Sequence, residues 1–274
     1  MPRARLTVLC DNQALPGLTA EWGFSVLVET PSGGRLLWDA GLTGLFLDNA
    51  AALGADLSRL DAAALSHGHY DHGNGLPLLR ERAGFAGPIH AHPGHGAARY
   101  AREDDGSIVS VALSPEARQA LAGFVPVEGA AEILPGLAML TAIPRLPGLG
   151  AATDGLYLDP AGTEPDPLPD DACLVLDTAS GPVLILGCCH SGLANTLAQV
   201  RAGLGHTRLA AVLGGLHLYA ADAAARAEAR DALRDFAVSR VFPGHCTGDA
   251  ATAWLARELP GRVEPLAAGR ILEF

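Results

Sequence analysis

The sequence predicts a mixed α/β protein built as a sandwich of two related halves. Two stretches of the chain repeat the order hairpin, helix, strand and loop, which favours a duplicated sandwich over a solenoid of three or more repeats. The 274 residues are 49% hydrophobic, so the chain can bury a large core without disulfide or metal staples. Alternation of strands with helices is typical of α/β folds.

The first half opens with a short strand at residues 6–10. Residues 24–30 and 35–41, joined by the turn PSGG, predict a β-hairpin. A helix is expected at residues 45–53, followed by a short apolar run that ends in a histidine-rich loop. A further strand is expected at residues 88–93.

The second half repeats this order. Residues 172–178 and 183–192, joined by ASGP, predict a second hairpin, followed by a helix at 193–202 and a strand at 209–218. VLVETPSGGRLLWDAG aligns with LVLDTASGPVLILGCC, and AAALSHGH aligns with AAVLGGLH, so that His69 stands opposite His217. The chain then continues with helices and a strand, expected at 220–236 and 250–259 for the helices and in SRVFPGHCTG for the strand.

We expect one domain over residues 1–274, with halves at about 1–135 and 170–274 and a lid or insert at about 94–170. Residues 144–169 are rich in proline and glycine. A long irregular segment in a compact domain is usually a functional lid or a linker, and we favour a lid.

Composition excludes several classes of protein. The formal charge is −11, from 30 acidic and 19 basic residues, which argues against nucleic acid or an anionic membrane as a partner. The N-terminal apolar run is too short for a signal peptide, and no apolar stretch is long enough to span a bilayer. Five cysteines without a CxxC pair do not predict a disulfide framework. We therefore expect a soluble cytoplasmic protein.

The segment SHGHYDHG is the strongest chemical feature of the sequence. It holds His67, His69, Asp71 and His72, and imidazole with carboxylate is the ligand set for Zn²⁺ or a related metal. On a tight loop relaxed by glycine, these side chains can turn inward together. The alternative is a solvated polar loop.

Two more histidines stand where predicted strands end. His190 lies in GCCHSG and His245 in PGHCTG, each with small neighbours. A strand end can project a metal ligand from a rigid edge, so both are candidate ligands. The alternative for each is an ordinary polar or core histidine.

HGHYDH resembles the HxHxDH motif of the metallo-β-lactamase superfamily. Asp39 in LLWDAG, together with AEWGFSVLVET, GCCHSG, GGLHL and GHCTG, resembles the branch of 7,8-dihydropterin-6-yl-methyl-4-(β-D-ribofuranosyl)aminobenzene 5′-phosphate synthases. The resemblance implies a four-layer αββα sandwich with a dinuclear metal site at one edge. The implied metal is Zn²⁺, one or two ions, with Mn²⁺, Fe²⁺ or Mg²⁺ as alternatives.

The resemblance also implies roles for individual residues. His67 and His69 would bind one metal, and the second would be bound by Asp71, His72 and His245. Asp39 would accept a hydrogen bond from a ligand imidazole. Asp71 is in addition a candidate proton acceptor.

The sequence departs from the hydrolase pattern in two places. It has no histidine in the region IPRLPGLGAATDGLYL, where hydrolases carry a third motif, and Gly187-Cys188 stands where they carry a bridging aspartate. We expect His190 to replace a missing ligand, because it shares the face of Cys188 if the strand continues. Cys188 is a candidate thiolate ligand or bridge, and the alternative is a small buried apolar residue.

His217 is predicted to donate a proton or contact substrate, with a structural histidine as the alternative. His95 and His206 are expected at the surface. Four residues are candidates for substrate binding, although capping, turn formation or solvation explains such residues equally well: Asn12, Glu21, His92 and Arg145.

The predicted function is a metal-dependent hydrolase acting on an ester or phosphoester-type small molecule. The alternatives are a dihydropterin-transferring synthase that releases pyrophosphate, and a non-enzymatic binding protein that keeps the metal fold. The substrate is expected to be phosphorylated or pterin-like, and the sequence leaves the oligomeric state open.

Overall fold

The computed structural model describes residues 3–274, which form two facing β-sheets with helices on both outer surfaces. The strands of the first half and the insert are β1 (Arg5–Cys10), β2 (Ser25–Glu29), β3 (Arg35–Trp38), β4 (Ala62–Ala64), β5 (Ile89–Ala91), β6 (Tyr100–Arg102), β7 (Ile108–Ser110), β8 (Val125–Pro126), β9 (Ala130–Leu134), β10 (Leu137–Leu140) and β11 (Leu156–Tyr157). Those of the second half are β12 (Cys173–Leu176), β13 (Val183–Leu186), β14 (Ala211–Gly215), β15 (Arg240–Gly244) and β16 (Ile271–Glu273).

The helices are α1 (Leu45–Ala52), α2 (Tyr70–Gly73), α3 (Leu76–Arg82), α4 (Pro115–Ala120), α5 (Leu193–Leu204), α6 (Ala223–Asp235) and α7 (Asp249–Glu258). Short 3₁₀ turns lie at Leu57–Arg59, Pro93–Gly96 and His245–Thr247. Within residues 3–274, no helix combines the length and the apolar character that crossing a bilayer requires.

The strand order confirms the internal duplication. One sheet has the order β16-β1-β2-β3-β4-β5-β8 and the other β15-β14-β13-β12-β10-β9. In the first sheet β2 and β3 are antiparallel, and β3, β4 and β5 are parallel. In the second sheet β12 and β13 are antiparallel, and β13, β14 and β15 are parallel. Each half is therefore a hairpin extended by parallel strands.

Successive side chains of the apolar strands point to opposite faces of each sheet, which explains the four layers. On β3, Leu36 and Trp38 point between the two sheets, whereas Leu37 points outward under the helices. The indole Nε1 of Trp38 donates a hydrogen bond to the carbonyl of Leu186, 3.1 Å away on the opposite sheet. The arrangement is helix, sheet, sheet, helix, as the resemblance implied.

Two expectations about boundaries were wrong. The strand expected at 183–192 ends at Leu186, because the chain turns sharply and Cys189 has a positive φ of 60°. The region 94–170 is not a separate lid over its whole length, because β8 joins the first sheet and β9 and β10 join the second. The third, small sheet, in the order β11-β6-β7, lies within this region.

Candidate metal centre

Loops from both sheets meet at one edge of the sandwich. In each sheet the parallel strands place their carboxyl ends side by side, which is where α/β proteins bind ligands. The loop after β4 carries His67 and His69, and the short helix α2 that follows it carries Asp71 and His72. The connections after β13, β14 and β15 carry the remaining candidates, which are Cys188, His190, His217 and His245.

Close backbone contacts determine the shape of the motif loop. A Cβ atom added to Gly68 would lie 1.9 Å from the carbonyl oxygen of His95, so this position requires glycine. The amide of Gly68 donates a hydrogen bond to Asp170 Oδ2 at 2.8 Å. Gly187 has the same role in the opposite turn, since an added Cβ would lie 2.2 Å from Ser66 Oγ. The two half-domains therefore approach each other through glycine.

Histidine, aspartate and cysteine atoms gather at this junction into overlapping groups. Within each group, every pair of ligand atoms lies within 4.8 Å. Cys188 belongs to three of the groups and stands between the others. The groups are His67 with His69 and His190; Asp71 with His72 and His245; His67 with His72 and Cys188; Cys188 with His190 and His217; and Cys188 with His245 and Cys246.

Hydrogen bonds to the outer ring nitrogens orient three of the imidazoles. Nδ1 of His72 donates to Asp39 Oδ2 at 2.7 Å, and Nδ1 of His190 donates to the carbonyl of Ala152 at 2.8 Å. Nδ1 of His245 donates to Asn12 Oδ1 at 3.0 Å. In the neutral form of each ring the Nδ1 proton makes this bond and Nε2 offers its lone pair, and His245 reaches that form by giving up a second proton.

These lone pairs converge, and the site accordingly fits a divalent cation. Nε2 of His72 lies 3.1 Å from Nε2 of His245, a distance at which two lone pairs repel unless a proton or cation lies near both. Nε2 of His69 and Nε2 of His190 are buried without a hydrogen-bond partner. Buried nitrogen atoms of this kind are costly unless they bind something.

The electrostatics favour neutral imidazoles on one side of the centre. Burial lowers the pKa of His69 to about 3. Burial, together with the neighbouring imidazoles, also holds the pKa values of His67 and His190 well below their usual range. These three residues therefore carry free lone pairs at neutral pH, which metal binding requires.

Around Asp71 and His245 the electrostatics favour a positive charge. Burial would raise the pKa of Asp71, but the imidazoles of His72 and His245 hold it below its usual range, so the carboxylate is ionised. Burial would likewise lower the pKa of His245, but its contact with Asp71, 3.3 Å away, and the nearby Cys246 raise it to about 9. A bound cation would compensate the charge of the Asp71 carboxylate, as the protonated imidazole of His245 does.

The thiol of Cys188 is buried and lies 3.1 Å from Nε2 of His72. Burial and the neighbouring Cys246 raise the pKa of Cys188 well above its usual range. The thiol therefore needs a nearby cation before it can lose its proton and act as a ligand.

His217 stands between this cluster and solvent. Its ring centroid lies 4.3 Å from that of His190, and its Nδ1 is buried without a partner. His190 reaches Cys188 and His217 through a turn rather than along a continued strand, so the shared-face argument for His190 was wrong although the residues do meet.

The structure gives three of the predicted substrate-binding residues other contacts. Arg145 donates hydrogen bonds to Ser191 Oγ and to the carbonyl oxygens of Ile143, Pro167 and Leu168. Glu21 accepts hydrogen bonds from the backbone amides of Leu42 and Thr43. Nδ1 of His92 accepts a hydrogen bond from the amide of Gly94 and caps a 3₁₀ turn. These contacts give the three side chains structural roles, and a contact with substrate stays a prediction for each.

The fourth residue, Asn12, contacts a candidate metal ligand. Its Oδ1 contacts Nδ1 of His245 and its Nδ2 donates to the carbonyl of His245. These bonds orient the imidazole of His245, and a contact between Asn12 and substrate stays a prediction.

Sequence reasoning missed a buried ion cluster beside the motif loop. Arg99 donates to both carboxylate oxygens of Asp170, at 2.8 and 2.5 Å, and lies 3.0 Å from Asp166. No local spacing links these residues to the motif, because they come from the insert. His95, expected at the surface, is buried, and its carbonyl packs against Gly68.

Comparison with known proteins agrees with this geometry. The sequence model of the metallo-beta-lactamase superfamily matches residues 21–245, which include the candidate ligands from His67 to His245. The chain belongs to the metallo-beta-lactamase superfamily. Superfamily membership accounts for the hydrolase-like fold and for a centre that can bind divalent metal.

Among relatives in the superfamily, the chain is 28% identical to the 7,8-dihydropterin-6-methyl-4-(beta-D-ribofuranosyl)-aminobenzene-5'-phosphate synthase of Methanocaldococcus jannaschii. The match covers 93% of this chain and 90% of that protein. The crystal structure of a metal-dependent hydrolase of the beta-lactamase superfamily is similar with a TM-score of 0.84 and 29% identity, over 99% of both chains. A diphosphatase of the PhnP family, at 17% identity and a TM-score of 0.55, shares the fold over 99% of this chain and 98% of its own.

Proposed function

We propose that this protein is a metal-dependent hydrolase that acts on an ester or phosphoester-type small molecule. The observation that carries the proposal is the convergence of imidazole, carboxylate and thiol groups around Cys188. The similarity to a metal-dependent hydrolase over nearly the whole of both chains supports it.

In this proposal, His67, His69 and His190 would hold one ion, and Asp71, His72 and His245 would hold a second. Cys188 would be a further, thiolate ligand. Imidazole with thiolate favours Zn²⁺, with Fe²⁺ or Mn²⁺ as further candidates and Mg²⁺ disfavoured by the sulfur. When bound, such ions polarise a carbonyl or phosphoryl oxygen and supply an activated water near neutral pH.

The chain's own residues orient the ligand rings and transfer protons to and from the reacting groups. Asp39, Asn12 and the carbonyl of Ala152 orient the ligand rings through the hydrogen bonds described above. Asp71, ionised in this environment, accepts a proton from the attacking water. His217, half-buried at the solvent side of the cluster, donates a proton to the leaving group.

The hydrolase proposal is tested with the metal-loaded protein on phenyl acetate and on diphenyl phosphate, whose phenolate leaving group is basic enough to need a proton as it departs. We expect turnover of at least one compound, and a loss of roughly 100-fold or more in His217→Gln, in the range typical for a lost general acid. The matched control is His206→Gln, a half-buried histidine outside the ligand groups, which should keep full activity. Turnover that is unchanged in His217→Gln would contradict the role of His217.

The similarity to a synthase over 93% of this chain favours a second candidate function. In that reaction, the C–O bond to a diphosphate leaving group breaks and a bond to a carbon or nitrogen nucleophile forms. The nucleophile loses a proton, and pyrophosphate is released. The two functions separate in one assay, because a synthase releases pyrophosphate from a dihydropterin diphosphate only when the second substrate is present, whereas a hydrolase needs water alone.

A further inference from the structure

Two exposed aromatic side chains form a rim beside the metal centre. Trp22 is 48% exposed and Tyr219 is 54% exposed, and the two rings meet edge to face with centroids 6.5 Å apart. The ring of Trp22 lies 5.5 Å from that of His245, and the ring of Tyr219 lies 5.4 Å from that of His217. Large aromatic groups left in water next to a buried ligand cluster indicate a surface that a ligand covers.

Tyr219 separates two clefts that open on the centre. The first, which we call the His217 cleft, has a volume of about 330 Å³ and is lined by His217, Tyr219 and residues 150–152 of the insert. The second has a volume of about 300 Å³ and is lined by Trp22, Tyr219 and His245. The first cleft is large enough for a single ring with substituents.

Among residues 3–274, no lysine or arginine side chain lines either cleft. The chain has no lysine, whereas Asp154, Asp222 and Glu228 line the His217 cleft. The amino end of α5 is covered from this side by Gly150, whose carbonyl accepts a hydrogen bond from Asn195 and lies against Gly192. Attraction for an anion therefore comes from the bound ions and not from the cleft walls.

We propose that the His217 cleft binds the flat, uncharged or cationic ring of the substrate against the face of Tyr219. In this arrangement the ester or phosphoester group of the same molecule reaches the metal centre, and no second anionic group enters the cleft. Trp22 acts as a positioning residue, because its edge-to-face contact fixes the orientation of the Tyr219 ring. This proposal rests on the proposed function, because it assigns the rest of the substrate that the centre would act on.

The test measures the dissociation constants of phosphonates from the metal-loaded protein. These compounds share a phosphonate group that can bind metal, and they resist hydrolysis. Calorimetric titration of the metal-loaded protein compares methylphosphonate, benzylphosphonate and cyclohexylmethylphosphonate. We expect benzylphosphonate to bind roughly tenfold more tightly than the other two, since stacking on one aromatic side chain is worth about 1–3 kcal/mol. Equal affinity for methylphosphonate and benzylphosphonate would overturn the proposal.

Substitutions then distinguish ligand binding in the His217 cleft from ligand binding at the metal centre. Tyr219→Ala should weaken benzylphosphonate about tenfold and leave methylphosphonate unchanged, Tyr219→Phe should retain wild-type affinity, and Trp22→Ala should cause a smaller loss than Tyr219→Ala. Tyr157→Ala is the matched control, because Tyr157 lines neither cleft. Loss of methylphosphonate binding in Tyr219→Ala, or unchanged benzylphosphonate binding, would refute the role of Tyr219.

Charge is tested with 4-carboxybenzylphosphonate. We expect it to bind roughly tenfold more weakly than benzylphosphonate. Asp154→Arg should reduce this difference in affinity, because Asp154 is an exposed carboxylate of the cleft, whereas Asp222, also exposed, accepts the capping hydrogen bond of α6. Equal binding of the two phosphonates to the wild-type protein would contradict the charge assignment. Failure of the protein to take up metal would overturn the proposed function and this proposal together, whereas a missing ring preference with metal bound would overturn only the assignment of the cleft.

Discussion

The carboxylate of Asp39 shows how one residue can prepare a metal ligand without touching the metal. It accepts hydrogen bonds from His72 Nδ1 and from the amide and hydroxyl of Ser66, all at 2.7 Å. These bonds keep the proton of His72 on Nδ1 and aim Nε2 at the centre. Asp39 itself has a positive φ of 57°, a conformation that aspartate tolerates better than most residues.

Replacement of Asp39 by Asn should therefore weaken metal binding while leaving the fold intact. We expect a loss of roughly 10- to 100-fold in metal affinity, the usual effect of removing such a partner. Competition with a chelator of known affinity measures the change. Asp231→Asn, at an exposed ion pair, is the control, and metal affinity equal to wild type in Asp39→Asn would refute the orienting role.

His69 provides the most direct residue test of the ligand set. Its Nε2 is buried without a partner, and its Nδ1 lies 3.0 Å from Nε2 of His67. His69→Ala should lower the bound metal and abolish activity, as measured by elemental analysis and turnover. His206→Ala should keep both, and full metal content in His69→Ala would count against the assignment.

At this scale the sequence predicted the residues that are close along the chain. His67, His69, Asp71 and His72 lie within six positions, so one loop and the short helix α2 bring them together. Asn12 meets His245 from 233 positions away, and no local pattern encodes that contact. Its role as an orienting residue therefore became visible only in three dimensions.

At the scale of elements, the insert is tied to the motif loop by a buried ion cluster. Asp170 accepts hydrogen bonds from Arg99 and from the amide of Gly68, and all three lie just before or after elements of different sheets. Breaking a buried ion pair leaves a charge without its partner in a medium that solvates it poorly. The cluster should thus stabilise both the insert and the shape of the loop.

Asp170→Ala should lower the free energy of unfolding by about 3–5 kcal/mol, because the Arg99 guanidinium then stays buried with Asp166 alone. Urea denaturation of the metal-free protein measures this change without interference from metal binding. Asp231→Asn should leave the unfolding free energy nearly unchanged, since its ion pairs are exposed. An equal, small effect of both substitutions would contradict the role of the cluster.

The elements themselves were largely predictable, and their ends were not. Both hairpins follow from short apolar runs on either side of a glycine-containing turn, and α6 follows from a run of good helix formers. The end of β13 at Leu186 was missed, since the positive φ that turns the chain is adopted by Cys189, a residue type that rarely takes that conformation.

At the scale of the whole molecule, the duplicated sandwich buries many imidazoles without charge. A histidine with a pKa lowered by folding binds a proton more readily in the unfolded chain, so its contribution to stability is lost as the pH falls below the usual value of about 6.5. His67, His69 and His190 act in this direction. His245, with a pKa raised to about 9, stabilises the folded chain below about pH 6.5 and loses that contribution as the pH rises through 9.

The metal-free protein should therefore be most stable at about pH 6.5, and its stability should fall as the pH rises from there toward about 9, where the contribution of His245 is lost. Three imidazoles oppose one on the acidic side, so the urea midpoint should fall between about pH 7.5 and about pH 5.5. Circular dichroism at a series of pH values measures the midpoint. A midpoint that rises on acidification would show that these rings are not held neutral.

The fold could be predicted as a whole because the two halves of the sequence show the same order of hairpin, helix, strand and loop. The assignment of β8, β9 and β10 to the two main sheets could not, because the insert has no counterpart in either repeat. The His217 cleft also escaped prediction, since it forms between the insert, α6 and the loop after β14.

The absorption spectrum of the cobalt-substituted protein shows whether Cys188 is a metal ligand. Titration of Co²⁺ into the metal-free chain should produce a thiolate-to-metal charge-transfer band, because Cys188 lies within reach of the imidazole ligands of both groups. Cys188→Ser should abolish that band while the weaker bands of histidine-bound cobalt persist, and Cys189→Ser, whose thiol faces Thr196, should leave the spectrum unchanged. A chain that binds no Co²⁺, or whose spectrum is the same in wild type and Cys188→Ser, would contradict the account of a metal centre built around Cys188.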